Sequence, residues 1–307
     1  MSKSIFSITK KSLKIGILPL SAPLAPPVVQ EAVAFLKQEG HDPIELLDPS
    51  KDYGQLAYLF SCETPQKRAD ALESALLAEP LDLILVSRGG YGAIEILPLL
   101  DFSRISQSSK LICGFSDATT VLTALNQRAD LICVHGPNLA SFREEVEIGV
   151  RRDNLNSLLK LIFGDRTTLF GAGQFRPICS GKAQGLLLGG NLSALSALIG
   201  TPWAPKFNGK IFFFEEVGES PFRLHRMLTQ LKLSGSLDGV RGLLVGHLTG
   251  CVHRSGAPPD AEAVIRDVLG DLGVPVYLGA DFGHGTINSA LPLGVLAQLS
   301  DNGLELL

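Results

Sequence analysis

A chain of 307 residues is long for one ordinary core and fits two domains. With 45% hydrophobic and 19% charged residues it reads as a well-buried globular protein and not as a disordered one. A formal net charge of −4 leaves no basic footprint for nucleic acid. The five cysteines (Cys62, Cys113, Cys133, Cys179 and Cys251) are odd in number and lack C-x-x-C spacing. That argues against a disulfide framework or a zinc site and fits a reducing compartment. Cys113 and Cys133 sit in apolar runs and read as small core residues.

No apolar run reaches the ~18 residues that a membrane helix needs. Lys3, Lys10, Lys11 and Lys14, followed by the apolar residues 15–20, imitate a signal peptide. Pro19, Pro23, Pro26 and Pro27 break that apolar region, so a cytoplasmic protein is expected.

In chain order, residues 14–18 read as a strand and residues 27–38 as a helix ending at Gly40. A second helix spans residues 68–77. Residues 81–86 (LDLILV) form a continuous apolar strand of the kind buried on both faces of a parallel sheet. Residues 111–113 and 131–134 repeat that pattern, and residues 153–163 read as a helix. Alternating strands and helices make the first part, residues 1–163, a doubly wound α/β domain. Ligands of such sheets sit beyond the carboxyl ends of the strands. Three suggestive loops lie there: residues 87–92, 114–117 and 135–138.

Residues 164–180 are polar, Gly-rich and aperiodic, and read as a linker. The remainder, residues 181–307, differs in character. A Gly-studded strand and turn (181–191) leads into a short helix (191–199). Strands follow at 209–214, 239–247, 276–278 and 296–299, with helices at 221–231 and 260–269. The glycines suggest a smaller, β-rich domain with a curved or barrel-like sheet.

The stretch KLICGFSDATTVLTAL (110–125) joins a short apolar strand, a tight turn bearing Ser116, and a helix. This is the context of a nucleophile elbow, with Gly114 and Ala118 two places either side of the serine. The turn sets Ser116 at the positive end of a helix, and the N–H of Asp117 is aimed at a bound carbonyl oxygen. The plainer reading makes Ser116 a helix cap. A nucleophilic serine needs a base, and the base needs an orienting acceptor. Among six histidines, His41, His225 and His253 fall on expected helix or loop surfaces. His135 and His247 lie at strand ends. His284, flanked by Gly283 and Gly285, leads. The apolar strand 212–214 stops at Glu215-Glu216, which offers a rigidly held carboxylate. The glycines of Ser87-Arg88-Gly89-Gly90-Tyr91-Gly92 offer a second oxyanion N–H. No dinucleotide fingerprint, P-loop, H-E-x-x-H or other metal-spaced cluster occurs, so neither cofactor nor metal is expected.

Taken together, these motifs resemble one family, the LD-carboxypeptidases, also called murein or muramoyl-tetrapeptide carboxypeptidases. The matching pieces run in order over nearly the whole chain: RGGYGA from Arg88, Leu100-Asp101, GFSD from Gly114, HGP from His135, GGNL from Gly189 and GTP from Gly200. They continue with FEEV from Phe214, PFR from Pro221 with Arg226, FGH from Phe282 and LPLG from Leu291. The resemblance implies a serine peptidase with a Ser116, His284, Glu215 triad straddling two domains, Glu216 ranking second as the acid. It implies oxyanion donors at the N–H groups of Gly90 and Asp117. The implied substrate is a small peptide, a murein tetrapeptide that loses its terminal D-alanine during peptidoglycan recycling, and the implied assembly is a homodimer. Two departures stand out: Glu95 replaces an Arg common after the Gly-Gly-Tyr-Gly loop, and the family's Pro-Ser loop appears as Pro19-Leu20-Ser21. The second reading is a related microcin-immunity peptidase acting on a peptidyl-nucleotide, with Trp203 offered for stacking on the nucleotide in a short 202–212 segment. The third, without chemistry, is a two-domain α/β ligand-binding protein.

Overall fold

The computed structural model describes residues 12–50, 60–164, 167–253, 255–256 and 258–307. Lys3, Lys10 and Lys11 of the signal-like segment lie outside the described residues. The chain divides into two compact units, Met1–Asp165 and Arg166–Leu307.

In the first unit, β1 (Lys14–Leu18), β2 (Asp42–Glu45), β3 (Leu83–Val86), β4 (Leu111–Gly114) and β5 (Cys133–His135) lie in the order β5-β4-β3-β1-β2. Each neighbouring pair is parallel. β3 (LILV) and β4 (LICG) are buried at every residue, as strands covered on both faces must be. The helices between them are α1 (Pro26–Gln38), α2 (Pro65–Leu77), α3 (Phe102–Ile105), α4 (Thr119–Ala129) and α5 (Ile148–Ile162). α1 starts on two prolines, which cost nothing where the first N–H groups lack partners anyway. Its Val29, Ala32, Phe35 and Leu36 repeat at helical spacing and are buried. Phe35 stacks on Phe142 at 5.5 Å, and Arg151 of α5 lies 5.2 Å over the Phe35 ring. α2, α3 and α4 pack on one another as a second helical layer. The sheet is therefore doubly wound. The chain turns back at β1 and β3, so the loops after these two strands flank the switch point where such sheets bind ligands. β2 escapes sequence reading because Pro43 interrupts it, a residue tolerated on this edge strand.

The second unit carries an eight-stranded mixed sheet. Its strands are β6 (Thr168–Phe170), β7 (Arg176–Cys179), β8 (Ala183–Asn191), β9 (Lys210–Val217), β10 (Gly242–Thr249), β11 (Val276–Leu278), β13 (Leu296–Ser300) and β14 (Gly303–Leu306); the short strand β12 (Leu291–Leu293), which precedes β13 in the chain, is not one of these eight. The order is β6-β14-β13-β8-β9-β10-β11-β7. β8 to β11 form a parallel centre, and antiparallel pairs extend it on both sides. Helices α6 (Leu192–Ala197), α7 (Pro221–Leu233) and α8 (Ala261–Leu269) connect the parallel strands.

β6 and β7 fall inside residues 164–180, the stretch expected to be linker, and both are edge strands of this sheet. Strands of three and four residues, one holding Pro177, are too short to show a period. They belong to the second unit, which begins at Arg166.

β9 is the spine of that unit. Ile211 to Phe214 are fully buried. Phe212 stacks with Phe207 and Phe214 at 4.1 and 5.1 Å, and Phe213 meets Phe282 edge-on at 5.7 Å. Phe213 thus ties β9 to the segment that leads into His284. Phe213→Ala is expected to cost about 3–5 kcal/mol, read by urea unfolding of the purified protein.

Candidate active site

At the end of β4, Phe115 is extended and Ser116 has φ +62°, inside the left-handed region. A non-glycine residue there costs about 1–2 kcal/mol and has to be held by its surroundings. Ser116 to Ala118 form a single 3₁₀ turn, after which α4 runs on from Thr119. Ala118 stands at the cap position of α4, with no side-chain cap. Ser116 is therefore not the cap of that helix. The turn is the sharp strand-to-helix elbow that raises a hydroxyl clear of its sheet.

The loop after β3 lies against this elbow. A Cβ placed on Gly89 would come within 2.6 Å of Ser116 Oγ and 3.4 Å of the Asp117 nitrogen. Only glycine brings the main chain this close to the serine. Gly90 follows at φ +120°, a conformation open to glycine alone. Carbonyl and amide bonds fix the start of the loop: Ser87 N–H donates to Leu18 O at 3.0 Å, and Ala140 N–H donates to Ser87 O at 3.0 Å. Arg88 Nη1 donates to Pro23 O at 3.1 Å.

The Asp117 side chain is engaged by two neighbouring loops. Its Oδ2 accepts the Ser21 hydroxyl at 2.6 Å and the Ala93 N–H at 2.8 Å. Burial pushes this carboxyl up from its usual range, and those two hydrogen bonds oppose the shift. The carboxylate thus staples the loops after β1 and β3 to the elbow. Glu95, three residues beyond Gly92, pairs at 2.6 Å with the buried Arg68 of α2.

In the second unit, Glu215 ends the apolar run of β9 with no exposure. Its Oε2 accepts His284 Nδ1–H at 2.6 Å and the His284 main-chain N–H at 3.2 Å. A carboxylate on Nδ1 fixes the tautomer and puts the basic lone pair on Nε2. The loop that holds the imidazole is fastened on several sides. Gly283 N–H donates to Asn288 Oδ1 at 2.8 Å, Thr249 Oγ1 donates to His284 O at 2.8 Å, and His247 N–H donates to Phe282 O at 3.0 Å. A Cβ on Gly283 would come within 2.4 Å of Glu215 Cγ, so the glycine lets the loop lie on the carboxylate.

Glu216 is engaged elsewhere. Its carboxylate accepts Asn191 Nδ2–H (3.2 Å), Ser193 N–H (2.7 Å), Ser193 Oγ–H (2.7 Å) and its neighbour Val217 N–H (2.9 Å). It binds the first turn of α6, where a negative charge suits the helix dipole. Burial raises its pKa and the donors oppose that.

The other histidines sort by environment. His225 pairs with Asp267 at 3.2 Å on the surface, and His253 is exposed beside Ser255. His41, expected at the surface, is buried: its Nδ1 accepts Leu13 N–H at 3.3 Å, and burial lowers its pKa. The helix-to-strand turn sets its ring against the Leu13 main chain, which a lone histidine after Gly40 does not announce. His135 ends β5, fully buried, its ring edge-on to Phe115 at 6.1 Å. His247 Nε2 lies 3.5 Å from Asp281 Oδ1.

Ser116, Asp117, Gly89 and Gly90 are thus gathered in the first unit, and Glu215 with His284 in the second. Sequence reading missed Arg68, Asn288 and Thr249. Their residue types carry no signal, and only burial and bonding reveal them. Among the described residues no group of three or more His, Cys, Asp or Glu could hold a metal ion, and no helix is long and apolar enough to cross a membrane.

Two family models match the chain: the LD-carboxypeptidase N-terminal domain over residues 15–136 and the LD-carboxypeptidase C-terminal domain over residues 184–299. The "Probable murein peptide carboxypeptidase" of Bacillus subtilis is 30% identical, over 97% of this chain and 94% of that protein. The "Murein tetrapeptide carboxypeptidase" of Pseudomonas aeruginosa is 32% identical, over 81% and 82%. In fold, the chain matches the structure of MccF in complex with glutamyl sulfamoyl guanosine with a TM-score of 0.83, at 24% identity, covering 97% of this chain and 96% of that one. The chain belongs to the LD-carboxypeptidase family.

Proposed function

We propose that this protein is a serine carboxypeptidase that removes the terminal D-alanine from murein tetrapeptides. The observation that carries the reading is Ser116, a serine at φ +62° where β4 turns into α4, with a glycine loop laid against its hydroxyl. The His284–Glu215 pair supplies what such a serine needs, an imidazole of fixed tautomer. In this reading Ser116 is the nucleophile, His284 its base and Glu215 the acceptor that orients the base.

Ser116 Oγ attacks the carbonyl carbon of the L-configured residue joined to D-alanine, and its proton passes to His284 Nε2. The tetrahedral oxyanion accepts from the N–H groups of Gly90 and Asp117. Each such donor contributes about 3 kcal/mol of barrier lowering. Glu215 holds the imidazolium as it forms. Collapse breaks the C–N bond, and His284 gives its proton to the departing amine of D-alanine. Water, deprotonated by His284, then attacks the acyl ester and frees Ser116. The product is the tripeptide. In this reading the peptide comes from recycled cell wall in the cytoplasm, and the active protein is a homodimer.

Mass spectrometry of a murein tetrapeptide incubated with the protein should show loss of one alanine. Ser116→Ala should lower the rate by about 10⁴-fold or more while the circular dichroism spectrum stays unchanged. A peptide left intact by the wild type, with a peptidyl-nucleotide cleaved instead, would replace this substrate with that of the microcin-immunity relatives.

The two acids should separate in kinetics. Glu215→Gln is expected to lower kcat by about 10⁴-fold, because the imidazole loses its charged partner and its tautomer control. Glu216→Gln should leave kcat close to wild type and cost about 1–3 kcal/mol of stability, through the weakened tie to α6. Steady-state rates and urea midpoints of both variants check this.

A further inference from the structure

Arg68 sits one turn into α2 and is fully buried, although a helical arginine ordinarily extends its charge to water. Each nitrogen of its guanidinium is bonded. Nε donates to Glu63 O at 3.0 Å, Nη1 donates to Gly92 O at 2.8 Å and also to Leu20 O, and Nη2 donates to Glu95 Oε2 at 2.6 Å. The three carbonyls come from three segments: the loop after β1, the lead into α2 and the loop after β3.

Two of these segments end beside Ser116. Leu20 precedes Ser21, whose hydroxyl donates to Asp117. Gly92 closes the loop that holds Gly89 and Gly90 and precedes Ala93, whose N–H also donates to Asp117. The arginine and the aspartate therefore grip the same two segments at adjacent residues, one through carbonyls and the other through donors. At Gly92 the grip is close: a Cβ there would lie 3.2 Å from Arg68 Nη1. Glu95 alone would compensate the charge. Binding several carbonyls in fixed directions calls for the planar fork of arginine, which lysine cannot reproduce.

We propose that Arg68 is a positioning residue for the oxyanion hole: by fixing Leu20 O and Gly92 O it sets the Gly90 N–H against Ser116. The proposal rests on the peptidase reading above. It gives Glu95 a role as well, that of orienting the guanidinium in place of contacting substrate.

The test compares wild type, Arg68→Lys and Glu95→Ala on the D-alanine-terminated tetrapeptide. Rates are expressed per active site titrated with a fluorophosphonate, and each enzyme's affinity for a phosphonate analogue of the tetrahedral intermediate is measured alongside. Arg68→Lys is expected to lower kcat about 10- to 100-fold, part of the loss seen when an oxyanion donor is removed outright. KM should stay nearly constant, and affinity for the phosphonate should fall by the same factor as kcat. Glu95→Ala should show the same signature, more weakly, and serves as the test if Arg68→Lys does not fold. A purely structural arginine would lower the melting temperature and leave kcat per titrated site unchanged, which would overturn the proposal. A rise in KM at constant kcat would also overturn it, by placing Arg68 in ground-state binding. An inactive wild type would remove the peptidase reading together with this one, whereas an active wild type with active variants removes only this one.

Discussion

A serine in the left-handed region has to be held, and much of the first unit serves to hold Ser116. The elbow's own sequence does not favour φ +62°. Asp117 supplies one restraint by accepting from Ser21 and Ala93, and the glycine loop presses on the serine from the other side. Behind these contacts stands a parallel sheet whose central strands are apolar throughout. The switch between β1 and β3 brings their two loops together, and the buried Arg68 binds both. Strain at one residue is thus balanced by polar contacts across several segments, which is how a functional backbone outlier persists.

The second unit solves a different problem. A carboxylate at the end of the Phe212-Phe213-Phe214 run is costly unless it is bonded. Glu215 takes both the ring and main-chain N–H of His284, so desolvation and orientation are handled by one contact pair. The neighbouring Glu216 points to the opposite face of the strand, as alternation in β9 requires, and is used to begin α6. Adjacent acids of the same type therefore have separate duties.

The legible parts of the sequence were those with strong local patterns. Continuous apolar runs gave β3 and β4, and the strand–turn–helix pattern pointed to Ser116. The end of the Phe run pointed to a pair of acids but did not choose between them, since strand alternation says only that they diverge. Motif order favoured Glu215, and the hydrogen bonds supply the physical difference. What stayed hidden was set by tertiary contact. β2, β6 and β7 are short edge strands, two of them with proline, and carry no period. Arg68 looks like any solvent-facing helix residue, and its burial follows only from the convergence of three loops. His41 likewise reads as a surface histidine, and its burial follows only from the turn after α1 that sets it against Leu13.

The central claim is that Ser116 is an activated nucleophile whose reactivity depends on the Glu215–His284 pair. Its most direct measurement is peptide mapping of the fluorophosphonate adduct by mass spectrometry, with labelling rates for wild type and His284→Ala. The account predicts a single adduct on the peptide containing Ser116, formed rapidly in wild type and barely at all without the imidazole. An adduct on another residue, or equal rates in the two proteins, would contradict it.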